Sequence, residues 1–427
     1  MITQKRVIAM AILVGAGALG FAGIAQKTAI EAPTGFDTPT LVQNPGSQSQ
    51  SNGIPEPAGD AFATDQGIYE QENDVTTGLG PVYNARACSD CHQNPVSGGS
   101  GQFTEVRVGH LDANGNFVNP TVPINDGANT ISGRSIINDR ALIPEAQEHV
   151  PVRETIRALR ATLNTLGDGF VEAIDDATLS AIAANQPNLS DGKINGEAIQ
   201  VAILEAPGQT RVGRFGWKDQ HGSVLSFAAD AYLNEMGITN RLRPHDTTTI
   251  GKITPDPEDT PDKLGLDAID HFAQFIRGTK APPRDAALAV TADALAGQAL
   301  FNQVGCATCH VPSMTTAPAG TVINGGSFTV PDSLGNKIIH PFSDFLLHDI
   351  GTGDGIVQGG PPDTRTKLRT SALWGLRMRP RLMHDLRSLS LADAVGRHHG
   401  EAEHVTKRFS SLTDAQKQQL FTFLNSL

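Results

Sequence analysis

Ala294-Leu295-Ala296-Gly297-Gln298-Ala299-Leu300-Phe301 runs on, through Gly305, into Cys306-Ala307-Thr308-Cys309-His310. The first part has the spacing of an amphipathic helix that stops at the glycine. The second is a C-x-x-C-H pattern, in which two thiols link covalently to one haem and the histidine serves as its proximal iron ligand. A redox dithiol of the thioredoxin kind follows a strand instead, and a C-x-x-C pair that is half of a zinc site needs ligands elsewhere. The same pattern recurs at Cys88-Ser89-Asp90-Cys91-His92, and the two copies use all four cysteines of the chain. The arithmetic implies two covalently bound haem c groups. It leaves open whether the chain carries electrons or catalyses a reaction.

The rest of the composition fits that reading. The chain has 427 residues, room for two or three domains. Aromatic residues make up only 5%, a thin supply of apolar bulk that two buried haems would supplement. Lys and Arg number 33 against 45 Asp and Glu, a net charge of −12. That balance argues against nucleic acid and anionic membranes, and is compatible with a basic electron-donor protein. Lys5 and Arg6 precede an apolar run from Val7 to Ala25, with Gly23 and Ala25 small enough for cleavage. Residues 1–25 therefore read as a signal peptide cleaved near Ala25, with a retained N-terminal anchor as the alternative, and the expected location is the periplasm. Export also suits haem c, which is attached outside the cytoplasm.

The expected fold is mainly α: two cytochrome c-like haem domains with long loops and insertions. Residues 26–58, rich in Pro, Ser, Gln, Asn and Gly, form a flexible leader. An N-terminal haem domain with insertions spans 59–280. It contains polar loops from Asp112 to Gly133, helical stretches at Pro144 to Leu166 and Asp175 to Ala184, a break at Thr254 to Pro261, and a helix from Ala268 to Arg277. A C-terminal cytochrome c domain spans 285–427. Its last helix opens at Thr413-Asp414 and carries Leu420, Phe421, Phe423 and Leu424 at helical spacing, as core.

Further strings point to one family: Gly80-Pro81-Val82-Tyr83-Asn84-Ala85-Arg86-Ala87, Gly213-Arg214-Phe215-Gly216-Trp217-Lys218, Glu235-Met236-Gly237-Ile238-Thr239, Ser343 to Gly351 (S-D-F-L-L-H-D-I-G), Leu373-Trp374-Gly375-Leu376 and His398-His399-Gly400-Glu401-Ala402. Together they resemble the di-haem oxidoreductases of peroxidase type, also described as thiol-oxidoreductase-like. These are relatives of the bacterial di-haem cytochrome c peroxidases and of the di-haem enzyme that matures tryptophylquinone. The resemblance runs from about residue 60 to the C-terminus. The chain departs from the family at His384-Asp385-Leu386, where relatives often read H-D-G, and at Lys367-Leu368-Arg369-Thr370, where they often read E-W-R-T. The loop Asn188 to Gly196 is a reduced form of an Asp- and Gly-rich loop, which weakens a calcium role there.

The resemblance implies reduction of hydrogen peroxide or another small oxidant, with electrons from a soluble donor such as a small cytochrome or copper protein. Haem-based oxidation of an organic or protein substrate is one alternative, and a non-catalytic electron-transfer cytochrome is another. Such an enzyme needs one haem with two strong ligands and one that opens to substrate. The helix after Leu391 resembles the one that carries the distal ligand of the C-terminal haem in the peroxidases, which points to His398, with His399 beside it as the alternative. For the first haem the distal candidates are His110, placed much as in the relatives, then His221 and Met236, or an open position. Glu105 is the candidate acid–base, with a solvated carboxylate as the alternative. Arg214 and Arg369 are candidate propionate partners or ordinary ion pairs. Trp217 and Trp374 are candidate electron relays or core residues. His348 and His384, each followed by Asp, remain further ligand candidates.

Overall fold

The computed structural model describes residues 28–37, 44–45, 61–252 and 260–427. The expected signal peptide, most of the leader and most of the 254–261 break lie outside these residues. Helices account for 32% of the chain and strands for 18%, spread over many small sheets. The expectation of a mainly α pair of cytochrome c-like domains is therefore corrected.

The correction comes from the middle of the chain. Strand β1 (Thr104–Leu111) alternates β-branched with polar residues and reads as a strand on inspection. Its neighbours are β2 (Ile136–Ile137) and β3 (Ile156–Ala161), both antiparallel to it. The β3 sequence, Ile-Arg-Ala-Leu-Arg-Ala, consists mostly of good helix formers. Six residues of register with β1, from Ile156 opposite Gly109 to Ala161 opposite Thr104, override that preference. The helix expected over Pro144 to Leu166 is thus a single 3-10 turn at Pro144–Ala146 followed by β3.

Elsewhere helices form where caps and spacing favour them. Helices α1 (Phe62–Tyr69), α2 (Asp176–Leu189), α3 (Val224–Met236) and α4 (Ala268–Gly278) lie in the first two-thirds of the chain. Their apolar faces meet in a large core around Tyr69, Phe170, Tyr232, Phe272 and Phe275, which also takes in Met314, Leu334, Phe345 and Trp374. A second core forms where α5 (Ala292–Val304) crosses the C-terminal helix, through Phe301, Phe342, Leu420 and Phe423. The Thr291 hydroxyl caps α5, accepting from Ala294 N, and Gly305 ends it at φ +107°, so the chain turns at once into Cys306. At the crossing a Cβ on Gly297 would lie 2.0 Å from the Gln419 carbonyl, so only glycine lets the helices approach this closely.

Short elements complete the C-terminal part. Strands β4 (Leu347–His348) and β5 (Leu368–Arg369) pair antiparallel. Helix α6 (Leu391–Gly396) starts at the Ser390 cap, α7 spans Glu403–Ser410, and α8 (Asp414–Leu424) opens with a capping box of Thr413 and Gln416. Among the described residues no helix is long and apolar enough to cross a membrane.

Candidate functional site

Cys306, Cys309 and His310 face a cavity of about 220 Å³. A single water needs only about 10–15 Å³, so this is no packing defect. Its walls are largely apolar, with Phe301, Leu376, Leu391, Val395 and Leu424 among them. His398 lines the opposite side, and its ring centre lies 6.5 Å from that of His310. Two imidazoles sharing one iron, with bonds of ~2 Å and ring nitrogens ~1.1 Å from each centre, stand ~6.3 Å apart.

Hydrogen bonds fix the tautomers. His310 Nδ1 lies 3.0 Å from the Phe342 carbonyl and His398 Nδ1 lies 2.8 Å from the Ala394 carbonyl. A carbonyl only accepts, so each Nδ1 carries the proton and each Nε2 is left with a lone pair, as a metal-ligating histidine requires. Burial, with His398 nearby, pushes His310 down to about 4; burial also lowers His398. Both rings are neutral at pH 7. These residues fit a haem iron.

The turn that carries His398 is fastened from two sides. Arg397 forks onto Asp385, with contacts of 2.9 and 2.7 Å. Thr406 Oγ1 donates to the His398 carbonyl at 2.6 Å. Asp385 precedes Leu386, the residue where relatives often have glycine; Leu386 sits at φ +55°, the left-handed region that glycine fills without strain. A leucine held there depends on its burial, at 7% exposed.

His348, in β4, lies 3.8 Å from Cys309 Sγ. Its Nε2 donates to Asp344 at 2.8 Å and its Nδ1 to Glu401 at 2.9 Å. Two carboxylates on two ring nitrogens require both to be protonated. Burial alone would lower this histidine, but Asp344 outweighs it and holds the value well above the ordinary one. Cys309, Asp344 and His348 bring donor atoms within 4.8 Å of one another, the one such trio among the described residues. Since both ring nitrogens are engaged, the trio is a hydrogen-bonded cluster around a protonated imidazole, not a metal site. The loop 188–196 leans on it through Asn195 N, which donates to Glu401 at 2.9 Å.

Arg369, Arg379 and Arg381 also line the cavity. Arg369 Nε donates to the Gly216 carbonyl at 2.7 Å and lies 3.6 Å from Asp219. Arg379 donates to the Ala372 and Trp374 carbonyls and has no carboxylate partner among the described residues. Burial, with Arg369 nearby, lowers it to about 10. An uncompensated guanidinium in an apolar cavity is matched by an anionic group such as a haem propionate.

The first motif has different surroundings. Cys88–Cys91 forms one helical turn, and the edge of Tyr69 faces His92 with ring centres 6.5 Å apart. Burial pushes His92 down to about 4, and its Nδ1 has no hydrogen-bond partner among the described residues. A buried, neutral imidazole with an unpaired nitrogen fits a metal ligand. Among the described residues no second imidazole stands near it as His398 does near His310. His110 is on the face of β1 shared with Val106 and Val108, and its Nδ1 lies 2.8 Å from Glu154. His221 pairs with Asp230 at 3.2 Å, and Met236 is core, its sulfur 3.7 Å from Asn73.

Glu105 lies on the opposite face of β1 from His110, with Arg107, and Arg160 stands opposite it on β3. Arg107 forks onto Glu105 at 2.5 and 3.0 Å. Arg160 and Lys218 both hold Asp354, at 2.6 and 2.9 Å, and these partners lower Asp354 to about 2 against the opposing effect of burial. Trp217 lines the large cavity of the second motif. Its Nε1 donates to the Ala161 carbonyl at 2.8 Å, and the edge of its ring meets His384. Trp374 is core. Arg214 is fully buried away from the cavity. It donates to the Val171, Ile174 and Val212 carbonyls and pairs with Asp176. His399 is exposed.

Sequence reasoning passed over Arg379, Arg381, Asp344, Glu401 and Glu235. Three of these sit inside the quoted strings S-D-F-L-L-H-D, H-H-G-E-A and E-M-G-I-T, where a carboxylate among apolar residues was the available signal.

No curated protein sequence matches this chain. Among solved structures, the hydrazine synthase of Kuenenia stuttgartiensis aligns over the whole of both chains at 14% identity, with a TM-score of 0.40. The diheme peroxidase BthA of Burkholderia thailandensis aligns over 72% of this chain and 95% of its own, at 14% identity and a TM-score of 0.30. A MauG-like protein associated with microbial copper homeostasis covers 62% of this chain and 89% of its own, at 14% identity and a TM-score of 0.31. These likenesses are remote. The sequence itself is decisive: residues 149–427 match the family described as "Di-haem oxidoreductase, putative peroxidase", so the chain belongs to the di-haem oxidoreductases, and two haem groups are implied.

Proposed function

We propose that this chain is an exported, periplasmic oxidoreductase with two covalently attached haem c groups. It reduces hydrogen peroxide or another small oxidant with electrons from a soluble small cytochrome or copper protein. The observation that carries the reading is the asymmetry of the two motifs: His310 faces His398 at 6.5 Å, whereas His92 has no such partner among the described residues. A site with two strong ligands passes electrons; a site with one protein ligand admits a small oxidant. None of the four cysteines is taken up by a disulfide, so all are available for covalent attachment.

Bound haem supplies a redox-active iron at each motif. The protein's residues do the rest. His310 and His398 would hold the second iron, and Arg369, Arg379 and Arg381 would be available to its propionates. Trp217 lies on the route between the motifs. Glu105, beside the first, is the group that moves a proton.

The test is optical and kinetic. Half-reduced protein should show one high-spin and one low-spin haem, and should consume hydrogen peroxide when supplied with a reduced donor. Two low-spin haems in every state, without peroxide turnover, would make the chain an electron carrier.

A further inference from the structure

Lys218, the residue after Trp217, is fully buried, and its ammonium meets four oxygens. Nζ donates to the Thr364, Arg365 and Lys367 carbonyls at 3.0, 3.2 and 2.6 Å, and pairs with Asp354 Oδ1 at 2.9 Å. An ammonium has three protons, so four oxygens at these distances surround it as a shell surrounds an ion. The carbonyls come from one short stretch. They cluster at the C-terminal end of the 3-10 helix Pro362–Thr366, where the last carbonyls of a helix lack partners inside it. The chain closes around the lysine. Gly355 N donates to the Arg365 carbonyl at 3.0 Å, and a Cβ on Gly353 would lie 2.1 Å from the Thr366 carbonyl.

The charge around the shell suits one monovalent cation. Asp354 is shared, because Arg160 Nε lies 2.6 Å from its other oxygen, and Arg160 Nη1 donates to Gln358 Oε1 at 2.7 Å. Asp349 also acts on Lys218. Without the ammonium, two carboxylates stand against one guanidinium, and a single positive charge balances them. A divalent ion of the calcium kind takes about six to eight oxygens at ~2.3–2.6 Å, a tighter and fuller shell than this one. Burial lowers Lys218 to about 8 and Asp354 opposes the fall, so the ammonium is the form held at neutral pH. The shell also belongs to the wall of the second site. Loop 353–367 leaves that wall at Thr352 and returns to it at Leu368, Arg369 and Thr370. Arg369 N donates to the Trp217 carbonyl at 2.9 Å, which joins the returning chain to the segment that carries the lysine.

We propose that the Thr364, Arg365 and Lys367 carbonyls and the Asp354 carboxylate form a binding site for one monovalent cation of ammonium or potassium size, with Lys218 as its built-in occupant. By filling the site, Lys218 positions Trp217 and Arg369 in the wall of the second haem cavity. It is a positioning residue, acting through those two side chains. An ion recruited from solution exchanges with the medium. A tethered ammonium does not, so the wall keeps its shape whatever salt surrounds the protein. Removing the ammonium leaves a buried carboxylate oxygen and three carbonyls facing one another without a donor, which an apolar side chain does not remedy. Shortening the lysine should instead empty the shell and let a free ion enter.

The test uses the holoprotein and its K218A and K218M variants. Melting temperature and the potential of the second haem are measured in ammonium, potassium or choline chloride at equal ionic strength. The native protein should give the same values in all three salts. K218A should melt lower and show a shifted potential in choline chloride, and ammonium or potassium ions should restore both values saturably. K218M fills the space with an apolar chain, so it should show the same losses and no restoration by any salt. Native values for K218M in choline chloride would overturn the proposal, because side-chain volume alone would then suffice. Equal effects of the three salts on K218A, or no effect of any, would overturn the cation site. A native protein that ammonium or potassium ions stabilise above choline would overturn permanent occupancy by Lys218. If K218A does not accumulate as holoprotein, K218M decides: native values overturn the proposal, and a lower melting temperature with a shifted potential upholds it. None of these outcomes depends on which oxidant the protein reduces.

Discussion

The two C-x-x-C-H motifs are nearly the same five residues in two different settings. The second sits at the end of a capped helix, opens into an apolar cavity and faces His398 at 6.5 Å. The first is a single helical turn beside Tyr69, and the chain that follows it enters a β-sheet in which Glu105, Arg107 and Arg160 share one face. The motif fixes where a haem attaches. What the haem does follows from what stands opposite the proximal histidine: an imidazole at the second site, and no imidazole among the described residues at the first.

The cysteine pairs give the largest way to break this comparison. Replacing Cys306 and Cys309 by Ala should halve the haem per chain, measured as the pyridine haemochrome, and should leave the apolar cavity unfilled. At ~24 cal/mol per Å³, a void of 220 Å³ costs on the order of 5 kcal/mol, comparable to the whole stability of a domain. Thermal unfolding of the C-terminal part should therefore drop steeply. Replacing Cys88 and Cys91 should remove the other haem with a smaller loss of stability, because the large cavity is not lined by that motif. Equal destabilisation by the two pairs would contradict the asymmetry.

A smaller effect sharpens it. His398→Met should keep the second haem six-coordinate, add a near-infrared Fe–S band and raise its potential by on the order of 0.1 V, within the ~0.8 V that axial ligands span. His398→Gly should produce high-spin character at this haem alone. Spectroelectrochemistry that finds both haems unmoved in both variants would remove His398 from the iron.

Much of the second site was legible because it is built from local signals: apolar spacing up to Gly305, the Thr413 cap and a short helix ahead of His398. The first site was not, because its chemistry is made by pairing across distance. β3 is written in helix-forming residues and becomes a strand only because β1 lies beside it. Once β1 is a strand, its period of two puts Glu105 and His110 on opposite faces, a separation that helix-minded reading misses. Glu235 meets the segment that leads into Cys88, through Asn84 and Ala85, only because α3 packs against it. Leu386 shows the reverse case, a departure from the family visible in sequence whose cost, a leucine at φ +55°, appears only in the backbone.

The smallest effect probes the residue common to both regions. Trp217 lines the cavity of the second site, while its Nε1 donates to Ala161, at the end of β3 and next to Thr162 beside Cys91. Trp217→Phe keeps an aromatic ring in the cavity wall and removes one buried hydrogen bond. The Ala161 carbonyl then loses its donor, which should cost about 1 kcal/mol and lower the melting temperature by a few degrees. If the ring is also the electron route between the sites, stopped-flow reduction should fill the second haem at the native rate and the first more slowly. A purely structural tryptophan predicts the same small loss of stability with both reduction phases unchanged. The two phases decide between these roles, because a defect in folding would not slow one haem and spare the other.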